Sequence, residues 1–392
     1  MQCGKRLTAH LLSCTMDVTT RTGQSTGMGA NLPPGTAALC GADTEDTNVT
    51  KKKIGVLGAG TWGMALARML CVSGNEVQVW SALPAEVDSL SAARVHPNLP
   101  GMKIPAELQF TKSIEEVCTS KDVLLFAVPS VFVRSTTAKA RPYIPDGQIL
   151  VDVAKGMEPD TLYTMTEVIA DELNREGGPK GVKLVALSGP THAEEVALDM
   201  PTTIVSACPD ERAAEFVQDV FSNTCMRVYT NPDIKGVELS GALKNVIALG
   251  VGISTGLGYG DNARAALITR GIAEIARLGV AMGCNIHTFA GLAGIGDLIV
   301  TATSMHSRNN RAGILIGKGE SPEQAVKEVG MVVEGINALP AAMELAAKYN
   351  VEMPIVQTVN AIVKEGMSAS DALRTLMDRN RKNEMPQGYE KV

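Results

Sequence analysis

Between Ile54 and Thr230, short runs of β-branched and other apolar residues alternate with stretches of helical spacing. This alternation predicts a parallel sheet with helices on both faces, because consecutive parallel strands need crossover connections, which are usually helices. Two runs, DVLLFAV and KLVALSG, are continuously apolar, as is typical of central strands covered on both faces. We therefore predict an α/β fold with a doubly wound sheet. Its strands are expected at IGVLG, EVQVW, DVLLFAVP, QILVDVA, KLVALSG, TTIVSA and MRVYT.

The sequence pattern changes after Pro232, where strand-like runs end and helical patterns take over. The chain has 392 residues, which is more than one hydrophobic core usually supports. We therefore predict a sheet domain over residues 51–232 and a mostly α-helical domain over residues 233–385. Helices of the second domain are expected at about 233–256, 262–282, 322–329, 335–348 and 368–378.

Residues 1–50 are rich in Gly, Thr, Ser and Ala and poor in large apolar side chains, which predicts a disordered tail. The tail carries Lys5, Arg6 and Arg21 and has few acidic residues before Asp43, so an organellar targeting peptide is the alternative. It lacks the Arg-rich amphipathic spacing of such peptides and the apolar core of a secretion signal. We therefore expect a cytoplasmic protein with a nonfunctional extension.

Charge and composition argue against several classes of protein. The chain has 36 Lys and Arg against 42 Asp and Glu, and no basic run is longer than Lys51–Lys53, which argues against nucleic-acid binding. The apolar runs near 246–253 and 289–300 are interrupted and shorter than the roughly 20 residues of a membrane span. The eight cysteines form no Cys-x-x-Cys pair and lie near no histidines at zinc spacing. We therefore expect free thiols in a reducing compartment and no metal site.

The motif GAGTWG follows the first predicted strand and precedes a helical pattern. In this context Gly58 permits a tight turn, Gly60 lets the backbone approach a pyrophosphate, and Gly63 lets the helix pack on the sheet. Backbone N–H groups at the helix start would face the anion, and Thr61 and Trp62 would border the dinucleotide. The motif therefore predicts a dinucleotide site, and the alternative is a glycine-tolerant turn in an unrelated α/β protein.

The end of the second predicted strand gives no information on the type of dinucleotide. An acidic residue there would bind the ribose hydroxyls of NAD, and a nearby arginine would bind the extra phosphate of NADP. The strand EVQVW is instead followed by Ser81, Ala82 and Leu83. The choice between NAD and NADP is left open.

Lys244 lies on a stripe of small residues in the pattern DIKGVELSGALKNVIALGVGI, in which Val237, Gly241, Lys244 and Ala248 share one helical face. Small side chains let another part of the molecule come close. An ammonium group partly removed from water there would have a lowered pKa, which suits proton transfer. The alternative is a lysine whose stem packs on the protein while its head reaches water.

Three further segments carry polar groups that could bind a ligand. In SRNNR, Arg308 and Arg311 place two guanidinium groups three residues apart, which suits a phosphate, although a solvated turn is the alternative. Asp297, in GIGDL, could equally be a helix N-cap. Lys155 follows the strand QILVDVA, at the edge where open α/β sheets bind ligands, although it could also be a surface lysine at a turn.

Together these segments resemble the bacterial type of NAD(P)-dependent glycerol-3-phosphate dehydrogenase over about Lys53 to Arg381. The resemblance implies a Rossmann-like domain followed by a helical domain. It also implies reversible reduction of dihydroxyacetone phosphate to sn-glycerol 3-phosphate by hydride transfer from NADH or NADPH, which supplies glycerol 3-phosphate for phospholipid synthesis. The segments that carry it, in chain order, are GAGTWG, HPNLPG, AKG, SGPTHAEEVA, ELSGALKNVIALGVGI, GDNARAALITRG, TFAGLAGIGDL, SRNNRAG and VVEG.

The resemblance implies roles for individual residues. Lys244 would donate a proton to the substrate oxygen and recover it, Lys155 would contact substrate and cofactor, and Asp297 would orient Lys244 or the substrate hydroxyls. Besides these three, the substrate-binding residues would be Gly189, Thr191, Ser307, Arg308 and Asn309. Besides Lys155 and the glycine turn, the cofactor-binding residues would be Ala193, Arg308, Val332 and Glu334.

The chain departs from the family pattern at Ala82, where many members carry a basic or imidazole side chain that could meet the NADP phosphate. Two other functions are kept as alternatives. A related dehydrogenase of 3-hydroxy acids would not need the SRNNR cluster. A nucleotide-binding sensor without catalysis would not need Lys155, Lys244 and Asp297. Apolar helical faces permit a homodimer but do not predict one.

Overall fold

The computed structural model describes residues 51–222, 224–381 and 383–384, so the predicted tail at residues 1–50 lies outside the described residues. The described strands join in a single sheet. In chain order they are β1 (Lys53–Leu57), β2 (Glu76–Trp80), β3 (Gln109–Thr111), β4 (Val123–Phe126), β5 (Ile149–Asp152), β6 (Lys183–Ser188), β7 (Thr202–Ala207) and β8 (Met226–Asn231). Their order across the sheet is β3-β2-β1-β4-β5-β6-β7-β8.

The helices fall into two groups. Those that connect or flank the strands are α1 (Thr61–Val72), α2 (Pro84–Ala93), α3 (Ile114–Cys118), α4 (Val133–Ala140), α5 (Met165–Leu173), α6 (Ala193–Val196) and α7 (Glu211–Ser222). Those that follow the sheet are α8 (Ile234–Gly256), α9 (Asp261–Ala281), α10 (Ile286–Phe289), α11 (Asp297–Thr303), α12 (Arg308–Gly317), α13 (Pro322–Val329), α14 (Glu334–Lys348), α15 (Pro354–Glu365) and α16 (Ala369–Met377).

Strand β4 shows why the central strands are continuously apolar. Val123 and Leu125 pack into the apolar cluster on one face of the sheet, with α1 and α7. Leu124 and Phe126 pack into the cluster on the other face, with α4 and α5. Both faces are therefore covered, because successive side chains of a strand point to opposite sides. The predicted doubly wound α/β sheet is confirmed.

One strand pairing differs from the prediction of an all-parallel sheet. Strands β6 and β7 are antiparallel, with Ser188 opposite Val205, whereas the other neighbouring pairs are parallel. Residues 189–201 connect β6 to β7 and contain only the four-residue helix α6. The connection remains at the carboxyl end of β6 instead of crossing back along the sheet, so β7 runs in the opposite direction. This keeps residues 189–193 at the edge where β5 and β6 end.

Helix α8 is the centre of the helical part of the chain, and every residue from Gly236 to Ser254 is buried. A helix that is apolar all round belongs in a core. By length and composition, α8 and the segment Ile286–Thr303 could each cross a membrane, but the apolar window of α8 is entirely buried in the fold. The expectation that the chain has no membrane span remains a prediction.

Two close contacts of α8 determine what lies beside it. A Cβ atom on Gly252 would overlap the backbone oxygen of Asn310, so α12 approaches α8 at backbone distance. A Cβ atom on Gly241 would lie 3.1 Å from Ser188 Oγ and 3.6 Å from Lys155 Cγ, so α8 also lies against the carboxyl ends of β5 and β6. Gly241, a member of the predicted stripe, therefore faces the sheet edge. The domain division at residue 232 remains a prediction.

Candidate active site

Two lysines, Lys155 and Lys244, bind the two oxygens of one carboxylate, that of Asp297. Lys244 Nζ donates to Asp297 Oδ1 over 2.7 Å, and Lys155 Nζ donates to Asp297 Oδ2 over 2.7 Å. The three side chains come from separate elements: Lys155 follows β5, Lys244 lies in α8, and Asp297 begins α11. The fold therefore brings together the three residues for which the sequence predicts catalytic roles.

Lys244 does not extend into water. The residue is 4% exposed, and its ammonium group also donates to Thr301 Oγ1. Burial lowers the pKa of Lys244 to about 8; the Asp297 carboxylate opposes this shift, and the positive charges of Lys155 and Arg308 add to it. An ammonium group with this pKa exists in both protonation states close to neutral pH, which suits a general acid and base.

Asp297 is 1% exposed and is the first residue of α11, directly after the π-helical turn Leu292–Gly296. Gly296 occupies the N-cap position of α11, so Asp297 is not the N-cap. Thr301, one helical turn further on, donates to Asp297 Oδ1 over 3.4 Å. The buried negative charge is thus compensated by two ammonium groups and a hydroxyl, as a buried charge requires.

The turn after β6 joins this cluster through its backbone. Lys155 Nζ donates to the backbone oxygen of Gly189 over 3.1 Å, and Thr191 Oγ1 donates to the same oxygen over 3.3 Å. The Lys155 side chain is 18% exposed, so the cluster opens to solvent on this side. Ala193, which begins α6, packs into the same apolar cluster as Trp62 of α1. The predicted substrate turn, at Gly189 to Ala193, and the predicted dinucleotide turn, at Gly58 to Gly63, therefore lie close together at the same edge of the sheet.

The glycine turn has the shape that a pyrophosphate site requires. Gly58 has φ +123°, and a Cβ atom there would lie 2.6 Å from the backbone oxygen of Ala127. A Cβ atom on Gly63 would overlap the backbone oxygen of Gly58. A Cβ atom on Gly60 would meet no atom within 4 Å, so the space beside it is open. No side chain caps α1, which leaves the N–H groups from Thr61 onward directed at that space.

Polar side chains at the start of α12 tie three helices together. Ser307 is the N-cap and accepts a hydrogen bond from the Asn310 N–H over 3.2 Å. Asn309 accepts from the Gly335 N–H over 2.8 Å and donates to Asn245 Oδ1 over 2.9 Å. Asn309 and Asn310 are buried, so the SRNNR segment is not a solvated turn. In this arrangement Asn309 connects α8 and α14, and its contact with substrate remains a prediction.

Arg308 is largely buried beside acidic residues but is not paired with them. Its guanidinium group makes no ion pair or hydrogen bond with any described residue. Burial lowers the pKa of Arg308, while the charges of Glu334 and Glu194 oppose that shift. Glu334 instead accepts a hydrogen bond from Ser130 Oγ over 2.8 Å, and burial raises its pKa. Val332 is partly buried two residues before Glu334.

Three polar residues of the site were not predicted from the sequence. Thr301 lies four residues after Asp297 on the same helix, so helical spacing could have identified it. Ser130 follows β4, whose carboxyl end shares an edge with β5, but its partner Glu334 is 204 residues away. Asn245, next to Lys244, interacts through Asn309. No sequence spacing indicates the last two contacts.

Among the described residues, cysteines and acidic side chains give no separate metal site. Cys71, Cys118, Cys208 and Cys284 are buried free thiols, as the sequence predicts. Within the described ranges, no group of three or more His, Cys, Asp or Glu side chains is arranged to hold a metal ion.

Sequence profiles of one family match both parts of the chain. The profile of the N-terminus of NAD-dependent glycerol-3-phosphate dehydrogenase matches residues 53–214, and the profile of its C-terminus matches residues 233–374. The chain belongs to the NAD-dependent glycerol-3-phosphate dehydrogenase family. The family resemblance found in the sequence is thus confirmed, and the chain is an NAD(P)-dependent glycerol-3-phosphate dehydrogenase by its relatives and its dinucleotide-binding fold.

Individual glycerol-3-phosphate dehydrogenases match over nearly their whole length. An NAD(P)+ enzyme of Lactobacillus delbrueckii subsp. bulgaricus is 69% identical over 333 residues, which are 85% of this chain and 99% of the relative. An NAD(P)+ enzyme of Bacillus subtilis is 48% identical over 339 residues, covering 85% of this chain and 96% of the relative. The crystal structure of glycerol-3-phosphate dehydrogenase from Coxiella burnetii superimposes with a TM-score of 0.79 at 35% identity, covering 84% of this chain and 99% of that one.

Proposed function

We propose that this enzyme interconverts dihydroxyacetone phosphate and sn-glycerol 3-phosphate with NADH or NADPH, and that Lys244 transfers the proton. The observation that carries the proposal is the binding of Lys155 and Lys244 to opposite oxygens of Asp297, beside the carboxyl edge of a dinucleotide-binding sheet. Relatives that are named as enzymes of this activity match the chain over nearly their whole length.

The glycine turn fits the pyrophosphate of a dinucleotide, since Gly60 has open space beside it and α1 has no side-chain cap. Trp62, Ala193, Val332 and Glu334 would line the rest of the cofactor site. When bound, the nicotinamide supplies the hydride for the carbonyl carbon or accepts it from the alcohol carbon. The residues of this chain bind and orient the two molecules and move the proton.

Lys244 has one N–H available for the substrate. A protonated lysine has three donors, and two of them are directed at Asp297 and Thr301. The third would donate to the carbonyl oxygen and stabilise the negative charge that develops there as hydride adds to the carbon. The proton then passes to that oxygen and gives the alcohol. In the reverse direction, neutral Lys244 accepts the hydroxyl proton.

Lys155, on the solvent-facing side of the cluster, also has one N–H group available for the substrate. Two of its donors are directed at Asp297 Oδ2 and the Gly189 oxygen. Its third donor would bind the substrate oxygen or a neighbouring hydroxyl. With Thr191, it would hold the carbon chain of the substrate against the nicotinamide, and such positioning makes a large contribution to rate.

Arg308 would bind the substrate phosphate. A largely buried guanidinium group without a partner among the described residues is costly to maintain, and an anionic ligand would remove that cost. Ser307 and the start of α12 supply further N–H and hydroxyl groups at the same place. This observation favours a phosphorylated substrate over an unphosphorylated 3-hydroxy acid. The donors still available on Lys155 and Lys244 favour an enzyme over a nucleotide sensor.

We also propose the wider setting that the sequence predicts. The enzyme would supply glycerol 3-phosphate for phospholipid synthesis in the cytoplasm, and could act as a homodimer through apolar helical faces. Residues 51–232 would form the dinucleotide-binding domain, and residues 233–385 the substrate domain. The bacterial relatives, which match this chain over nearly their whole length, support this setting.

The test uses the purified full chain and follows the loss of NADH or NADPH absorbance after substrate is added. We expect oxidation that depends on dihydroxyacetone phosphate, and none with 3-oxo acids. The absence of a reaction with dihydroxyacetone phosphate, while NADH still binds, would favour the sensor. Reaction with a 3-oxo acid instead would favour the other dehydrogenase.

A further inference from the structure

The structure brings an acidic side chain to the end of β2, where the sequence alone has none. The Gly58 N–H donates to the backbone oxygen of Trp80 over 2.9 Å, so the end of β2 is joined directly to the glycine turn. Ser81, the next residue, is buried and donates from its hydroxyl to Glu86 Oε2. The carboxylate of Glu86 is therefore held next to the strand end, although Glu86 is five residues further along the chain.

The local backbone explains how Glu86 returns to this position. The Leu83 N–H donates to Ser81 Oγ over 3.1 Å, and Pro84 then starts α2. Glu86 lies in the first turn of α2, where a negative charge is favourable. Only Oε2 of its carboxylate has a hydrogen-bond partner among the described residues. Oε1 is therefore available to a ligand.

A second contact relates Glu86 to the glycine turn. His96 is buried, accepts from the Asn98 N–H over 3.2 Å, and hydrogen-bonds to the Ala59 backbone. Burial lowers the pKa of His96, and the negative charge of Glu86 acts against this shift. The Glu86 carboxylate therefore lies near His96, which in turn contacts the Ala59 backbone of the glycine turn. Asn98 Nδ2 also lies 3.5 Å from Thr61 Oγ1, on the same side of the turn.

The basic side chains near this corner are already engaged. Lys112, which follows β3, forms an ion pair with Asp88 of α2 over 2.6 Å. Arg94 donates to the backbone oxygens of Pro105 and Leu108. An anion that entered beside Ser81 would therefore meet the negative charge of Glu86. Lys112 and Arg94 are both engaged elsewhere and would not offset that charge.

We propose that Glu86 determines dinucleotide specificity: its carboxylate accepts the adenosine ribose hydroxyls, and it repels a 2′-phosphate, so the enzyme binds NADH in preference to NADPH. A carboxylate at the end of the second strand has this effect in dinucleotide-binding sheets, because it accepts two hydroxyl donors and excludes a dianion. Here the carboxylate comes from the first turn of the following helix. The inference rests on the proposed function only in requiring that a dinucleotide binds at the glycine turn.

A purely structural role for Glu86 makes a different prediction. If the carboxylate only stabilised the start of α2, its loss would change the affinities for NADH and NADPH by the same factor. A specificity role changes them in opposite directions. The ratio of the two affinities therefore separates the two roles, even if a variant is less stable.

The experiment is calorimetric titration of the full chain with NADH and with NADPH, without substrate. We expect NADH to bind at least about tenfold more tightly than NADPH. Glu86→Gln should reduce this preference to about threefold or less, by weakening NADH binding and strengthening NADPH binding. Glu76→Gln is the matched control, because it removes the same charge from the exposed opposite end of β2 and should leave both affinities unchanged.

Several outcomes would overturn the inference. Equal or tighter binding of NADPH by the unchanged enzyme would do so, as would a Glu86→Gln variant with an unchanged ratio. Loss of NADPH binding in Lys112→Ala would show that a cation already serves the 2′-phosphate. If preference for NADH were missing but turnover of dihydroxyacetone phosphate remained, only the role of Glu86 would be wrong. If neither dinucleotide bound, the proposed function would fail as well.

Discussion

Lys244 Nζ lies 2.7 Å from Asp297 Oδ1, and this contact joins the central helix α8 to the start of α11. It keeps a buried ammonium group paired while its pKa is lowered to about 8 by burial. The attraction of the Asp297 carboxylate raises the pKa of Lys244 and favours the protonated form, whereas burial lowers this pKa and favours the neutral form. The balance of the two makes Lys244 the strongest candidate for the acid and base.

The first prediction concerns the loss of this amine. Lys244→Ala should lower turnover by at least about 100-fold, because the group proposed to transfer the proton is lost, while NADH still binds. Steady-state rates and calorimetric titration with NADH measure the two effects. Lys235→Ala is the control, since Lys235 lies on the same helix and pairs with Glu167. Nearly normal turnover of Lys244→Ala would show that another group transfers the proton.

The second prediction is the pH dependence of the two directions. Lys244 must be protonated to reduce the ketone and neutral to accept the alcohol proton. Since its pKa is about 8, kcat/KM for reduction should fall as pH rises above about 8, and kcat/KM for oxidation should fall as pH drops below about 8. Rates measured in both directions with one buffer series test this. Two profiles that change in the same direction would contradict the assignment.

The third prediction separates binding from stability at Arg308. Arg308→Leu should raise the KM for dihydroxyacetone phosphate at least about tenfold, because a charge-assisted contact is lost. It should not lower the free energy of unfolding of the ligand-free enzyme, because the guanidinium group has no hydrogen-bonded partner among the described residues. Kinetics and urea unfolding measure the two quantities.

Arg311→Ala is the matched control for Arg308, since Arg311 lies one turn further along the same helix. We expect its KM to change little. An unchanged KM in Arg308→Leu, or a larger effect in Arg311→Ala, would move the phosphate to another part of the site.

The fourth prediction concerns a buried carboxyl group far from the reaction. Burial raises the pKa of Glu274 to about 7, although N–H groups of Ile355 and Val356 oppose the shift. Between about 4.5 and about 7 the folded state binds more protons than the unfolded state, so this group makes the free energy of unfolding fall as pH rises. Urea unfolding at several pH values should show a weaker dependence for Glu274→Gln than for the unchanged chain.

The exposed Glu328 provides the control for this measurement. Glu328→Gln should leave the pH dependence of unfolding unchanged. A Glu274→Gln variant that shows the same dependence as the unchanged chain would mean that Glu274 stays ionised in the fold.

Local signals account for what could be predicted from the sequence. The strands were predicted because runs such as VLLF must be covered on both faces, and Gly58 to Gly63 were predicted because a strand, a glycine turn and a helix follow one another. Strand β3 was missed because three residues, Gln109–Thr111, leave no periodicity to detect. Helix α15 was missed although Pro354 and Gly366 mark its ends.

Contacts between distant segments account for what could not be predicted. The direction of β7 depends on the path of residues 189–201, which sequence periodicity does not describe. The hydrogen bond from Ser130 to Glu334 joins residues 204 positions apart. Glu86 was not considered as a ribose ligand, because only the chain path through Ser81 and Leu83 returns it to the strand end.

The shared carboxylate of Asp297 has a consequence for how this protein could be divided. Lys155 belongs to the amino-terminal half of the chain, whereas Lys244 and Asp297 belong to the other half. A polypeptide that ended near residue 232 would contain Lys155 without its carboxylate partner, and the remaining polypeptide would contain Lys244 and Asp297 without Lys155. The proposed chemistry therefore requires both segments in one folded unit.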